Sequence, residues 1–420
     1  MSRILKAIIL CSVALVLLVS PAYSKVDVVK IGVIYPLTGT SASTGNDYVA
    51  AYQLAADIIN NVTNIDFPFA KTVGIPSLGN AKIEFVPADS QGNAEVGKAE
   101  AERLITTIKP AALMGCHHSA VTKTASQAAE QYGIPFLCPD STSPALTERG
   151  YEYFFRSGPT DNTFIEDAFQ FIADVDKAKG TKTQTVALVS EDTEFGKNIL
   201  NVEKDLANKL GYKIVETITF ANNSTNLSSE VLRLKQANPD VIFMAAYTSD
   251  TILFMKTFKE QRYYPRAIIG QRAGFIAPEL FQTIGKDADY LFTTNVWAAD
   301  LGVARPIVKT INDMYKKKTG KDLTGDYARA FTGAFVMADA INRAGSLDPE
   351  AIKKALLETN LPGKDLIVPW EGVKFDQKTH QNMYGKTIIT QFSNGSYKTV
   401  WPLNLASTPV VWPVPGWDKR

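Results

Sequence analysis

From Val28 onward the chain alternates short apolar runs with longer amphipathic ones, and this alternation narrows the fold more than any other feature. Val28–Tyr35, Lys82–Pro87, Ala111–Gly115 and Pro135–Cys138 read as strands. Between them, residues 47–61, 95–108 and 119–132 repeat apolar residues at three- and four-residue spacing, as helices buried on one face do. Val49, Leu54, Ile58 and Ile59 form one such stripe. Repeated strand–helix units call for a parallel sheet with helices on both faces, because parallel neighbours need a crossover.

The pattern restarts after Arg156. Strands are expected at 185–190, 213–220, 241–245, 267–270 and 290–294, and helices at 162–176, 196–210, 227–236, 250–261 and 278–284. Helices at 306–319, 326–344 and 349–358 follow. Residues 386–392 and 397–401 form a hairpin about Asn394-Gly395. Residues 407–420, rich in proline and with two tryptophans, read as an extended tail. About 400 residues exceed what one core usually supports, so two domains are expected. The class is α/β, two successive lobes with a cleft between them.

Residues 1–24 read as an export leader. Arg3 and Lys6 precede an apolar run from Ala7 to Val19, Pro21 breaks it, and Ala22-Tyr23-Ser24 offers small residues before Lys25. The run is shorter than the ~20 residues that span a bilayer. Ile8-Ile9-Leu10 lacks the small residues expected before a lipidated Cys11. The whole chain carries a net charge of +1, and loss of Arg3 and Lys6 makes it −1. Such a chain has no general field for nucleic acid or an anionic membrane, so neither partner is expected.

In open α/β sheets ligands sit beyond the carboxyl ends of strands. Six loops occupy such places. Residues 36–45 hold five hydroxyls and two glycines, suited to a polar ligand or to a surface turn. In Gly115-Cys116-His117-His118-Ser119, the hydroxyl of Ser119 sits where it can cap a helix or meet a carboxylate. Cys138-Pro139-Asp140-Ser141-Thr142-Ser143 ends a strand and starts a second hydroxyl-bearing helix. In the second half, Phe195 and Tyr247 can cover a ligand, Asp250 can cap its helix, and Arg272 either pairs with an anion or lies in solvent.

The segments VVKIGVIYPLTGTSASTG, GCHHSAVTKTAS and GIPFLCPDSTSPALTERG, followed by ALVSEDTEFGKNI, NPDVIFMAAYTSDTILFMKTFKEQ and AIIGQRAG, resemble the leucine/isoleucine/valine-binding family. These are type I periplasmic solute-binding proteins of ABC importers. The likeness runs through essentially the whole mature chain. It implies two Rossmann-like lobes with parallel central sheets joined by three crossovers: 25–160 with 293–383, and 161–292 with 384–405, then a tail 406–420. It implies a monomer in the periplasm that captures a small carboxylate-bearing solute, an amino acid or a related organic or aromatic acid, in the cleft by hinge closure and delivers it to an inner-membrane ABC permease. A soluble sensor or adaptor of the same fold is the alternative. By this resemblance Ser119 and Thr142 meet a ligand carboxylate, Asp140 lies where a backbone group meets an ammonium, and Thr44 and Phe195 touch the side chain. His118, Tyr247, Asp250 and Arg272 complete the candidate site. Arg272 departs from the family, which places an acidic residue near there for the ammonium; either Asp140 or Asp250 takes over that role, or the solute is a carboxylate without an α-amino group, a diacid or an aromatic acid.

Other chemistry finds little support. Gly92 to Lys98 matches a phosphate loop until Ala99 replaces its Ser/Thr. Cys116, His117, His118, Cys138 and Asp140 are metal-capable residue types, but adjacent turn histidines rarely both face inward, so no metal or cofactor is expected. Cys116 and Cys138 end neighbouring strands and are either joined or two buried thiols. His380 is isolated and reads as a surface residue. No nucleophile elbow, zinc helix or separated triad is recognisable, so no enzyme is expected.

Overall fold

The computed structural model describes residues 26–419; the leader expected over 1–24 lies outside them. Strands β1 (Val28–Tyr35), β2 (Lys82–Asp89), β3 (Ala112–Gly115), β4 (Phe136–Cys138) and β5 (Phe154–Arg156) form the first sheet in the order β2-β1-β3-β4-β5, all parallel. Helices α1 (Ala42–Asn60), α2 (Ala94–Arg103) and α3 (Ser119–Tyr132) make the crossovers. Val29, Ile31, Val33 and Tyr35 of β1 enter one hydrophobic core, while Ile34 enters the core on the other face. That two-sided burial explains the unbroken apolar run.

The chain then crosses into the second lobe through α4 (Asp161–Lys179). Strands β6 (Thr185–Glu191), β7 (Lys213–Phe220), β8 (Val241–Ala245), β9 (Ile268–Gly270) and β10 (Phe292–Asn295) are parallel. Helices α5 (Glu194–Leu210), α6 (Ser228–Ala237), α7 (Thr248–Glu260) and α8 (Pro278–Ile284) alternate with them. After Asn295 the chain returns to the first core through α9 (Pro306–Thr319), α10 (Gly325–Ala344) and α11 (Pro349–Leu357). The return expected at residue 293 thus starts later, because β10 pairs in the second sheet. A short antiparallel ribbon, β11 (Asn360–Pro362) with β12 (Gly372–Lys374), precedes the last crossing.

The hairpin β13 (Ile388–Ser393) and β14 (Ser396–Trp401) completes the second sheet, in the order β14-β13-β10-β9-β8-β6-β7. This edge is antiparallel, since a two-residue turn cannot join parallel strands. Asn394 and Gly395 have φ of 50° and 81°, as that turn requires. Beyond it, Trp412 and Trp417 insert into the second lobe's cores.

Two crossings pair with each other: Arg156 N donates to His380 O at 3.0 Å and Asn382 N to Arg156 O at 2.8 Å. His380 is therefore not at the surface. It is buried, with its ring stacked on Phe155 at 4.5 Å. Cys116 and Cys138 are two free, buried thiols. Among the described residues no helix is long and apolar enough to cross a membrane.

Candidate functional site

The strands of both lobes deliver their carboxyl-end loops to one place. His117 and Ser119 follow β3, Asp140 and Thr142 follow β4, Phe195 opens α5, Tyr247 follows β8, and Arg272 follows β9. Together with Ala273, Asp326 and Arg329 they line a cavity of about 20 Å³, room for about one water. The lobes are closed on each other here. Arg272 Nη2 of the second lobe donates to Thr142 Oγ1 of the first at 2.8 Å and to Asp161 Oδ1 at 2.7 Å. The His118 and Tyr247 rings meet across the gap at 4.6 Å, and Lys123 reaches Glu194 at 3.4 Å.

Six of the residues singled out from sequence line this cavity: Ser119, Asp140, Thr142, Phe195, Tyr247 and Arg272. His118 lines a neighbouring pocket with Thr40, Ser41, Gln91, Asn223 and Tyr247. Thr44 is buried within α1 and lines neither. Asp250 sits behind the wall, where it accepts hydrogen bonds from Asn223 N and Ser224 N; it anchors that loop rather than capping its own helix.

The local structure corrects two expectations and decides between the alternatives for a third residue. His118, not Ser119, is the N-cap of α3, and no side chain caps that end. Ser119 is 1% exposed. The loop after β4 leads into a short 3₁₀ turn, Pro144–Thr147, and not an α-helix, so α3 supplies the only α-helix start on these two neighbouring strands. Arg272 is 3% exposed and far from solvated.

The charges are arranged in pairs. Asp140 accepts from the Tyr35 hydroxyl at 2.7 Å and from Ser141 N at 2.9 Å, and burial raises its pKa. Asp326 is bound by Arg329, whose Nη1 also donates to Asp140 O at 2.8 Å. Arg272 pairs with Asp161, and its guanidinium lies 3.8 Å from the Phe164 ring centre. Burial draws the Arg272 pKa down while Asp161 opposes the shift. His117 is pushed down to about 3 by burial and by Arg329, so it is a neutral ring. Its Nδ1 faces the Tyr48 hydroxyl at 3.2 Å. Rings of His117, Tyr247 and Phe195 follow one another at 5.4 and 5.3 Å.

Once these pairs are counted, three donors of the cavity-lining residues remain, beside one carboxylate oxygen, Asp161 Oδ2, that also has no partner among the described residues. Ser119 Oγ, Arg272 Nη1 and Arg329 Nε line the cavity side and have no partner among the described residues. A buried donor left unpaired is costly, so this set suits a molecule that brings acceptors. Asp326, Arg329, His117 and Ala273 were not among the sequence candidates for a ligand. The signal for two of them was present: Asp326 and Arg329 stand three apart in the mostly apolar first half of a helix, and buried opposite charges at that spacing must pair.

A family model described as a periplasmic binding protein matches residues 28–396. Leu/Ile/Val-binding protein homolog 8 of Brucella abortus (strain 2308) is 27% identical over 384 residues, covering 90% of this chain and 91% of that protein. A leucine-binding protein from Thermotoga maritima MSB8 superposes with a TM-score of 0.74 at 22% identity, over 88% of this chain and 97% of that one. An ABC-transporter solute-binding protein from Rhodopseudomonas palustris BisB5, solved with 3,4-dihydroxybenzoic acid, gives 0.72 at 22% identity, over 94% and 100%.

Proposed function

The chain belongs to the periplasmic binding protein family, and on that premise we propose that it captures a carboxylate-bearing organic acid between its lobes and presents it to an inner-membrane ABC permease. The single observation behind this reading is the unpaired donor set of the cavity-lining residues, Ser119 Oγ, Arg272 Nη1 and Arg329 Nε, which outnumbers the one unpaired carboxylate oxygen beside Arg272, Asp161 Oδ2. A carboxylate satisfies those donors. An α-ammonium would bring three more donors and would lie beside the guanidiniums of Arg272 and Arg329. The neighbouring rings of His117, Tyr247 and Phe195 suit a flat or apolar body.

The solute in the Rhodopseudomonas palustris protein, 3,4-dihydroxybenzoic acid, has this character: a carboxylate and no ammonium. The names of the Brucella relatives point instead to aliphatic amino acids, and Arg272 is the residue that argues against them here. Closure follows from differential contact. Lobe-one groups receive the acid first, and Arg272, Tyr247 and Phe195 then cover it, favouring the closed state. The working protein is an exported monomer without residues 1–24.

The test is a thermal-shift screen of residues 25–420 after unfolding and refolding to strip carried-over solute. The panel holds amino acids, aliphatic and aromatic acids, neutral amides and nucleobases. A solute at a thousand times its Kd adds about 4 kcal/mol. Acids are expected to give the shift; a shift from amides or nucleobases alone would overturn the reading.

A further inference from the structure

We propose that Asp161 is a positioning residue that presents Arg272 to the solute: it holds one nitrogen of the guanidinium and leaves the other free. The inference rests on the reading of the cleft as an acid-binding site. The two side chains are 0% and 3% exposed, and Arg272 Nη2 donates to Asp161 Oδ1 at 2.7 Å. The grip is single. The second oxygen, Asp161 Oδ2, and the second nitrogen, Arg272 Nη1, have no partner among the described residues. A two-point clasp, frequent between arginine and a carboxylate, would consume both nitrogens. Here Nη2 takes both protein bonds, to Asp161 and to Thr142 Oγ1 at 2.8 Å, and Nη1 is left over.

The rest of the arginine is fixed as well. The Phe164 ring, one turn along α4 from Asp161, lies 3.8 Å from Arg272 Cζ and gives the guanidinium a face to rest on. Arg272 N donates to Thr293 Oγ1 at 3.2 Å. Arg272 and Ala273 have φ of 57° and 43°, a region that residues with a Cβ seldom enter. Backbone of this kind persists only where its surroundings over-determine it.

Asp161 owes its own place to the crossing between lobes. It opens α4, where a helix N-terminus favours an anion. Its N donates to Thr142 O at 2.9 Å. Asp161 therefore touches both partners of the inter-lobe bond, Thr142 through its amide and Arg272 through its carboxylate. Asp161 and Arg272 stand on second-lobe elements, so parting the lobes need not break their pair; the bond it breaks is that from Arg272 to Thr142 Oγ1. The arginine then waits already placed, and closure does not have to order a long side chain.

The test uses the mature chain labelled with 15N-arginine, Arg272→Lys identifying the signals. In wild type the two Nη groups of Arg272 should give separate NMR signals, because the Asp161 bond slows rotation of the guanidinium. Rotation should quicken by at least about threefold at each step from wild type to Asp161→Asn to Asp161→Ala, as a charge-assisted bond gives way to a neutral one and then to none. Averaged signals in wild type, or rates unchanged in the variants, would overturn the proposal. This readout needs no solute, so it is decided apart from what the cleft binds. With 3-phenylpropanoate as the probe, Asp161→Ala should weaken binding about tenfold, the worth of one hydrogen bond to a charged group. In an Arg272→Ala background the same change should cause no further loss. An equal loss in both backgrounds would mean that Asp161 supports the fold and does not act through Arg272, which would also overturn the proposal. Should Asp161→Ala fail to fold, the rotation rates of wild type and Asp161→Asn decide.

Discussion

At the scale of single residues, the site is an exercise in donor counting. Ser119→Ala removes one unpaired donor and no cap, because His118 occupies the N-cap position. It should weaken solute binding by about 1–2 kcal/mol, the worth of a hydrogen bond to a charged group, with little change in melting temperature; isothermal titration checks this. Arg272 does more, since it meets Thr142, Asp161 and the solute from one planar fork. Arg272→Lys should fail to restore affinity, because an ammonium cannot span these partners. His117 yields a pH prediction. Burial and Arg329 push its pKa from 6.5 to about 3, so its stabilising contribution is present above 6.5 and is lost as pH falls toward 3. The stability gap between wild type and His117→Gln, followed by thermal melts, should narrow across that acid window. Ser119 and Arg272 were legible in the sequence because each is a polar residue in a loop directly after an apolar strand. Asp326 and Arg329 were not placed at the site, because they begin a helix that reads as core and reach the cleft only after the chain crosses back. The partners of Asp250 were equally hidden, lying in the separate loop after β7.

At the scale of elements, periodicity carried most of the information. Strands β1, β7 and β8 and helices α3, α8 and α9 lie where their patterns put them, since each has a full apolar face or run and a clear stop. The three-residue strands β5, β11 and β12 gave no pattern to read and exist only because neighbours supply their hydrogen bonds. The 3₁₀ turn after Ser143 misled for a related reason, as hydroxyls suit several kinds of turn. Close packing of helix on strand is likewise set by tertiary contact. A Cβ on Gly196 would stand 2.0 Å from Glu191 O, so only glycine lets α5 start against the end of β6. Gly196→Ala should destabilise by about 1–3 kcal/mol and, by shifting Phe195 away from the cavity, should also weaken solute binding. Denaturant unfolding and titration measure the two effects separately.

At the scale of the whole molecule, function lies in how two lobes share one small space. The α/β class and the two successive sheets follow from the alternation in the sequence; the interlocked crossings at Arg156, His380 and Asn382 do not, because backbone pairing across more than 200 residues leaves no local pattern. The contacts that hold the lobes closed are unequal. The exposed Lys123–Glu194 pair contributes little, while the buried Arg272–Thr142 bond lies where the solute binds. Solute should therefore control the opening. The most direct test of that account is calorimetric titration of the stripped mature chain with matched pairs that differ only in the α-amino group: 3-phenylpropanoate against phenylalanine, and 4-methylpentanoate against leucine. The account predicts that the deamino acids bind and their amino acids bind at least tenfold more weakly, the minimum cost of placing an ammonium beside two guanidiniums. Tighter binding of the amino acids would contradict it, and would mean that one of the carboxylates now paired with arginine turns to the ammonium instead.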